Sequence, residues 1–242
     1  MNTLRAMLLG LISISVFVIG CGSDPADPNS PATETLGPNV GSSYHFNVYL
    51  LDAAGNQGSL ANQGKFTVTS TDESYRGEDG ITTLLHSEKS RLLYVKYLPA
   101  GDLLYYYGQF ALPFYPPMGS AWVRFPFGGG STGKAVLVDS TYLSEDGMSE
   151  RFLVEREAIS LGAENKTVKG NSISTTKVEE RITQTLFIEG LPETTSIVEL
   201  VYWYSPELKY FVQIDAYTYW GNPDDPPLWS ASRDILVDYE LK

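Results

Sequence analysis

The chain has 242 residues, 43% of them hydrophobic, with 29 acidic side chains against 17 basic ones and a formal charge of −12. Such a composition can bury a sizeable core and lies far from the regime of chains too polar to fold. Nucleic-acid binding needs Lys and Arg gathered to neutralise phosphates, and no basic run exists here. That class is set aside, together with electrostatic adhesion to anionic lipid headgroups.

Met1 to Arg5 carry one basic side chain, and the apolar run from Ala6 to Ile19 is broken only by Gly10, Ser13 and Ser15. This is the layout of a secretory signal, too short for a comfortable bilayer span. The run ends at Val18-Ile19-Gly20-Cys21. These four residues resemble the bacterial lipobox, in which an aliphatic, a variable and a small residue precede a cysteine. The resemblance implies diacylglycerol on the Cys21 thiol, cleavage before it, and acylation of the new amino group. Two or three acyl chains moor a protein stably where one binds only marginally. Cys21 is the single cysteine of the chain, so acylation accounts for an otherwise odd thiol and leaves the folded part without a disulfide. Gly22, not Asp, follows it; by resemblance to enterobacterial sorting, that points to the outer membrane. Residues 22–41 hold four prolines among acids and small polar residues, the composition of a solvated, semi-extended tether. The expected organisation is a signal over 1–20, the lipidated cysteine and tether over 21–41, and one β-domain over 42–242.

Past the tether, period-two alternation recurs and helical periodicity does not. Strands are expected at 44–51, 65–70, 81–87, 92–98, 103–110, 121–127, 135–142, 151–160, 177–188, 197–204, 210–215 and 234–241. In the last of these, Ile235, Val237, Tyr239 and Leu241 form an apolar face against Asp234, Leu236, Asp238 and Glu240, the pattern of a half-buried strand. Turn residues stand between the strands, among them Gly55-Asn56, Gly77, Gly101-Asp102, Gly147 and Pro206. Links this short join antiparallel neighbours. The expectation is an all-β protein with a strongly curved, mostly antiparallel sheet, as an open barrel or a sandwich.

No catalytic, cofactor or metal site is expected. Gly128 to Lys134 nearly matches a phosphate loop, but Ala135 stands where magnesium needs Ser or Thr, and a strand follows where a helix is required. The same stretch reads Gly129-x-Ser131-x-Gly133, yet the last histidine, His86, lies upstream, and a nucleophile elbow needs a following helix. His45 and His86 lack zinc-type spacing and are expected on solvated strand faces. Asp224 and Asp225 follow no known calcium pattern. A pair of carboxylates for glycoside hydrolysis is a three-dimensional quantity and cannot be chosen among 29 acids.

The aromatic load is the unusual feature. Tyr105-Tyr106-Tyr107 leads into an apolar, proline-rich stretch with Phe110, Phe114, Tyr115 and Met118, followed by Trp122. Prolines remove its middle from a central strand, which leaves a connection acting as a plug over the core or as the rim or lid of an apolar cavity. In Tyr202-Trp203-Tyr204, alternation sends Trp203 away from the tyrosines, and one of the two faces is expected to be partly wet. The runs 174–178 and Val201 to Leu208, then Phe211-Val212, resemble the carboxyl-terminal half of exported bacterial β-proteins and lipoproteins that carry W-Y-x-P-x-x-G. Here Lys209 replaces the glycine. Some of those proteins are similar to the curved half-barrels of lipoprotein carriers. The resulting expectation is a non-catalytic, lipid-anchored binding or structural domain of the bacterial envelope. Its alternatives are a carrier of an apolar ligand such as a lipid or acyl chain, and a glycan-active or glycan-binding module. Expected partners are the membrane, through the acyl chains, and a lipid, glycan or envelope protein.

Overall fold

All twelve expected strands form. The computed structural model describes residues 36–87, 91–99, 101–110, 119–143, 147–221 and 228–242, with backbone alone at 107–110 and 119. In chain order the strands are β1 (Ser43–Leu51), β2 (Gln57–Tyr75), β3 (Glu78–His86), β4 (Arg91–Tyr97), β5 (Leu103–Phe110) and β6 (Gly119–Phe125). They continue as β7 (Ala135–Leu143), β8 (Ser149–Val168), β9 (Asn171–Ile188), β10 (Thr194–Ser205), β11 (Tyr210–Gly221) and β12 (Leu228–Glu240). Every named pair is antiparallel and every link except that from β6 to β7 joins sheet neighbours, so the sheet runs β6-β5-β4-β3-β2-β1-β12-β11-β10-β9-β8-β7. Pairing of β1 with β12 sets Tyr44 opposite Tyr239, and the two termini of the body meet mid-sheet. The single sheet curls into a nearly closed barrel whose gap lies between the consecutive strands β6 and β7. No helix is present among the described residues.

Two hairpins turn on paired left-handed residues, Arg76-Gly77 with φ of +51° and +86° and Lys169-Gly170 with φ of +53° and +79°. These are the torsions of the two-residue turn whose twist matches that of the flanking strands. Several strands run further than their side-chain pattern announces. Residues 57–63 of β2 are exposed throughout, so no burial alternation marks them, yet Asn62 and Leu60 pair with Val48 and Tyr49. Burial writes the sequence pattern, whereas the ladder needs only backbone groups.

β12 departs from the expected facing. Its register slips between the pairs His45–Asp238 and Phe46–Leu236, so Val237 is the extra residue of a bulge. A bulge reverses which side chains point inward. Leu236 is accordingly buried in the core while Val237 and Leu241 are exposed. The last residues of the expected tether also belong to this body: Gly41 donates to Val68 O at 2.9 Å, and Gly37 lies so close to the Tyr97 ring that a Cβ there would stand 2.6 Å from Cδ2.

One end of the barrel is filled. Tyr44 stacks on Tyr210 with centroids 4.3 Å apart, and Tyr44 and Tyr97 donate their hydroxyls to the carbonyls of Leu208 and Lys209 at 2.9 and 2.8 Å. The β10–β11 turn is thereby drawn into the core, with Leu208 fully buried. Lys209 adopts φ of +54°, the conformation a glycine takes freely, and its Nζ donates to Gly37 O at 3.0 Å. Across the gap, Phe125 of β6 packs 4.9 Å from Tyr202 and 6.4 Å from Phe211. Phe127 stacks on Tyr204 at 4.7 Å. The β6–β7 loop is clamped on both sides: Gly128 N donates to the buried Asp102 Oδ1 at 2.7 Å, while Thr132 N donates to Ala158 O and Gly130 O accepts from Ser160 N. Ser131, the nucleophile of the elbow pattern, instead lies in a bridge opposite Ile159.

Truncating Phe125 removes an aromatic ring from both halves of the barrel at once. Phe125→Ala should lower unfolding free energy by about 3–5 kcal/mol in denaturant titration, whereas Leu143→Ala, at 74% exposed, should change it by no more than about 0.5 kcal/mol.

Candidate functional site

A sheet of about eight strands closes on an interior that side chains just fill, and a larger one encloses space. This barrel of twelve strands holds a cavity of about 630 Å³ above its tyrosine plug, within the size range of small-molecule sites. Ten of the strands contribute to the wall, each with one to four residues. Phe46, Phe66, Leu93, Tyr105, Phe125, Ile182, Val198, Leu200 and Ile214 make it largely apolar, and Tyr202, Tyr210 and Phe211 form its floor beside the plug. Asn62, Gln63 and Arg91 line it while remaining exposed, which marks them as its rim.

Polar groups enter this wall singly. His86, expected on a solvated face, is instead buried, with its ring edge-on to Phe66 at 4.5 Å, and it packs over Gly64, where a Cβ would meet Nε2 at 2.9 Å. Gln184, Ser232 and Asp234 complete the polar set. Asp234 is the one carboxylate among the described lining residues. Behind Phe125 and Tyr202 lies a buried ion pair, Arg156 Nε with Glu180 Oε1. Glu180 Oε2 also accepts from Tyr202 Oη at 2.7 Å, and the guanidinium sits 4.8 Å from the Phe125 ring centroid. Within this pair, each charge is matched by the other behind the wall. Among the described residues no group of three or more His, Cys, Asp or Glu side chains is placed to hold a metal ion.

The residues singled out from sequence fall differently. Phe114, Tyr115, Met118 and Cys21 lie outside the described residues, and Phe110 is described by its backbone alone, paired with Gly119. Trp122 does not line the cavity. It stands on the opposite face of β6 from Val123 and Phe125, 5.2 Å from Tyr106 and next to Tyr75, which stacks on Tyr94 at 3.7 Å. Its Nε1 donates to Arg76 O at 3.3 Å. Trp203 is buried, as are Tyr202 and Tyr204, so neither face of that triplet is wet. Lys166 Nζ covers its ring at 3.9 Å, and Glu164 Oε2 accepts from its Nε1 at 2.9 Å. Long basic stems shield an outward-facing indole that alternation alone would leave exposed.

Fold and site define the class: an antiparallel β-barrel, plugged at one end, with an apolar cavity inside. No protein-family model matches the chain, and no curated protein sequence matches it. Among solved structures it is similar to that of a candidate lipoprotein from Parabacteroides distasonis, with a TM-score of 0.46 and 13% identity over 85% of this chain and 98% of that one.

The phenols around the plug and cavity carry a pH signature. Burial pushes Tyr105 up to about 12, with Arg91 opposing, and raises Tyr44, Tyr97, Tyr204 and Tyr210 further. The folded state therefore holds these protons more tightly than the unfolded chain, whose tyrosines titrate near 10.0. Their contribution is complete below that pH and is lost as pH rises through about 12 and beyond. Denaturant titrations should show stability unchanged by tyrosine ionisation at pH 9 and falling steeply from about pH 10 upward.

Proposed function

We propose that this protein is a non-catalytic, lipid-anchored binding protein of the bacterial envelope, whose barrel takes an apolar ligand into its cavity. The observation that carries the reading is the cavity itself: apolar residues from opposite sides of one nearly closed sheet line a space of about 630 Å³. Native cores are packed to crystal density, so a void of this size is a feature to be filled by a ligand. The wall supports binding better than chemistry. Its single described carboxylate, Asp234, lacks the second carboxylate that acid–base hydrolysis of a glycan would need across the site.

The anchor is part of the proposal and rests on the signal-like run ending in Val18-Ile19-Gly20-Cys21. Acyl chains on Cys21 would hold an acidic domain at a membrane surface that its own charge does not favour. The destination that the residues support best is the outer membrane, by the Gly22 that follows the cysteine.

Two measurements test these parts separately. Cys21→Ser should move the protein from the membrane to the soluble fraction; membrane association as tight as before would refute acyl anchoring. Ala216 is a small residue of the cavity wall, and Ala216→Trp should fill the space. Gentle purification and native mass spectrometry should show a bound small molecule on the unaltered barrel and none on the filled one. A ligand-free unaltered protein that also excludes N-phenyl-1-naphthylamine would refute the cavity reading.

A further inference from the structure

The cavity wall is largely apolar, yet at its mouth two exposed side chains offer hydrogen-bond donors that the described residues do not use. Arg91 opens β4 and stands opposite His86 in the β3–β4 ladder. Leu93, two positions on and therefore on the same face, lines the cavity with it. Arg91 is the one cation among the described lining residues. The chain has 29 acidic side chains against 17 basic ones, and most of its described Lys and Arg have found a carboxylate. Arg91 has no ion pair among the described residues. Its charge is nonetheless felt inside the barrel, where it opposes the effect of burial on the Tyr105 phenol.

Asn62 supplies the second group. Its Oδ1 accepts from Gln63 N at 2.8 Å, which sets the amide so that its Nδ2 is the atom left to bind. Gly64, two positions on, is covered by His86, the ladder partner of Arg91. Asn62, Gly64, His86 and Arg91 thus follow one another round the mouth, and all four line the cavity.

Their chemistry specifies the partner. A guanidinium has donors and no acceptor, and an amide whose oxygen is engaged presents donors alone. The complement is an acceptor, and an anion is the acceptor that a guanidinium holds by its shortest and strongest hydrogen bonds. The carboxylate of the described wall stands apart from this seat: Asp234 pairs with Val48 and Ile214 on β12, four strands round the sheet from Arg91 on β4. The overall charge of −12 repels anions at long range, so the attraction is local and hangs on one side chain. A small inorganic anion would leave the apolar interior empty; the ligand needs a tail as well.

We infer that the cavity holds an amphiphile with an anionic head, seated at the mouth on Arg91 and Asn62, and an apolar tail that fills the interior toward Tyr210 and Phe211. This rests on the cavity-binding reading above and adds the head-group class and its place.

The full chain carrying Cys21→Ser, so that no acyl group of its own competes, is loaded with N-phenyl-1-naphthylamine. It is then titrated with laurate, dodecyl phosphate or the neutral 1-monolauroylglycerol, each below its micelle-forming concentration. Laurate should displace the dye at a concentration about fivefold below that of monolauroylglycerol, the scale of one solvated ion pair. Dodecyl phosphate tells which acid is bound: displacement below the laurate concentration assigns a phosphate head, displacement above it a carboxylate, and either supports the seat if it precedes the neutral lipid. Arg91 is exposed, so Arg91→Gln should fold, keep dye affinity within about twofold and erase the preference for the anions. Arg91→Lys, which keeps the charge and loses the planar fork, should restore about half of it. Asn62→Leu should weaken laurate about twofold; an unchanged value would remove Asn62 from the seat. Dye binding that Ala216→Trp abolishes, combined with displacement by the neutral lipid as early as by both anions or with a preference that survives Arg91→Gln, would overturn the head-group assignment and leave the cavity reading standing. Failure of the dye and of all three lipids to bind would overturn the cavity reading and the inference with it.

Discussion

A twelve-stranded sheet curled into a nearly closed barrel has more interior than its side chains readily fill, and here the tyrosine plug packs one end and leaves a cavity beside it. Tyr44 and Tyr97 reach from β1 and β4 to the carbonyls of Leu208 and Lys209, pulling the β10–β11 turn across one end of the barrel. Phenols suit this work because each buries a large ring and keeps one donor to satisfy a carbonyl that would otherwise be stranded. Without the plug the same strands would enclose a channel open at both ends. With it, Tyr210 and Phe211 serve as the floor of the cavity and the roof of the core together.

Closure across the gap follows from the same aromatic chemistry. β6 and β7 are edges of the sheet, and an exposed edge invites pairing with another chain. Here the loop between them is fixed on one side by Asp102 and on the other by the backbone of β8, and Phe125 and Phe127 bind the two halves through ring contacts. The Arg156–Glu180 pair lies directly behind this contact. A buried ion pair adds little net stability, so its value is better sought in what it positions, namely the Tyr202 hydroxyl that Glu180 accepts from.

The resemblance noted around W-Y-x-P-x-x-G also gains a physical account. Lys209 stands at the glycine position and still takes the left-handed torsion, at a cost that glycine would avoid. Its side chain is tied to Gly37 O and its carbonyl to Tyr97. The turn is therefore held by tertiary contacts at a position where a glycine would adopt the same torsion freely.

The sequence by itself determined the strands and the antiparallel pairing of those joined by short turn-rich links, because alternation reports burial and such links join neighbours; the pairing of β1 with β12 and the break between β6 and β7 came only with the tertiary structure. It also determined the character of the site's material, a surplus of aromatic side chains. It did not determine where they went. The bulge at Val237 turned β12 over, shielding by Lys166 buried Trp203, and the pleat placed Trp122 on the outer face; each is decided by what lies across the sheet. The cavity wall was illegible for the same reason. Phe46, Leu93, Tyr105, Ile182 and Ile214 sit far enough apart in sequence that no spacing links them, and they become one wall only when their strands fall into register. Local pattern fixes which way a strand faces, but only closure of the barrel decides which inward residues find a neighbour and which are left facing empty space.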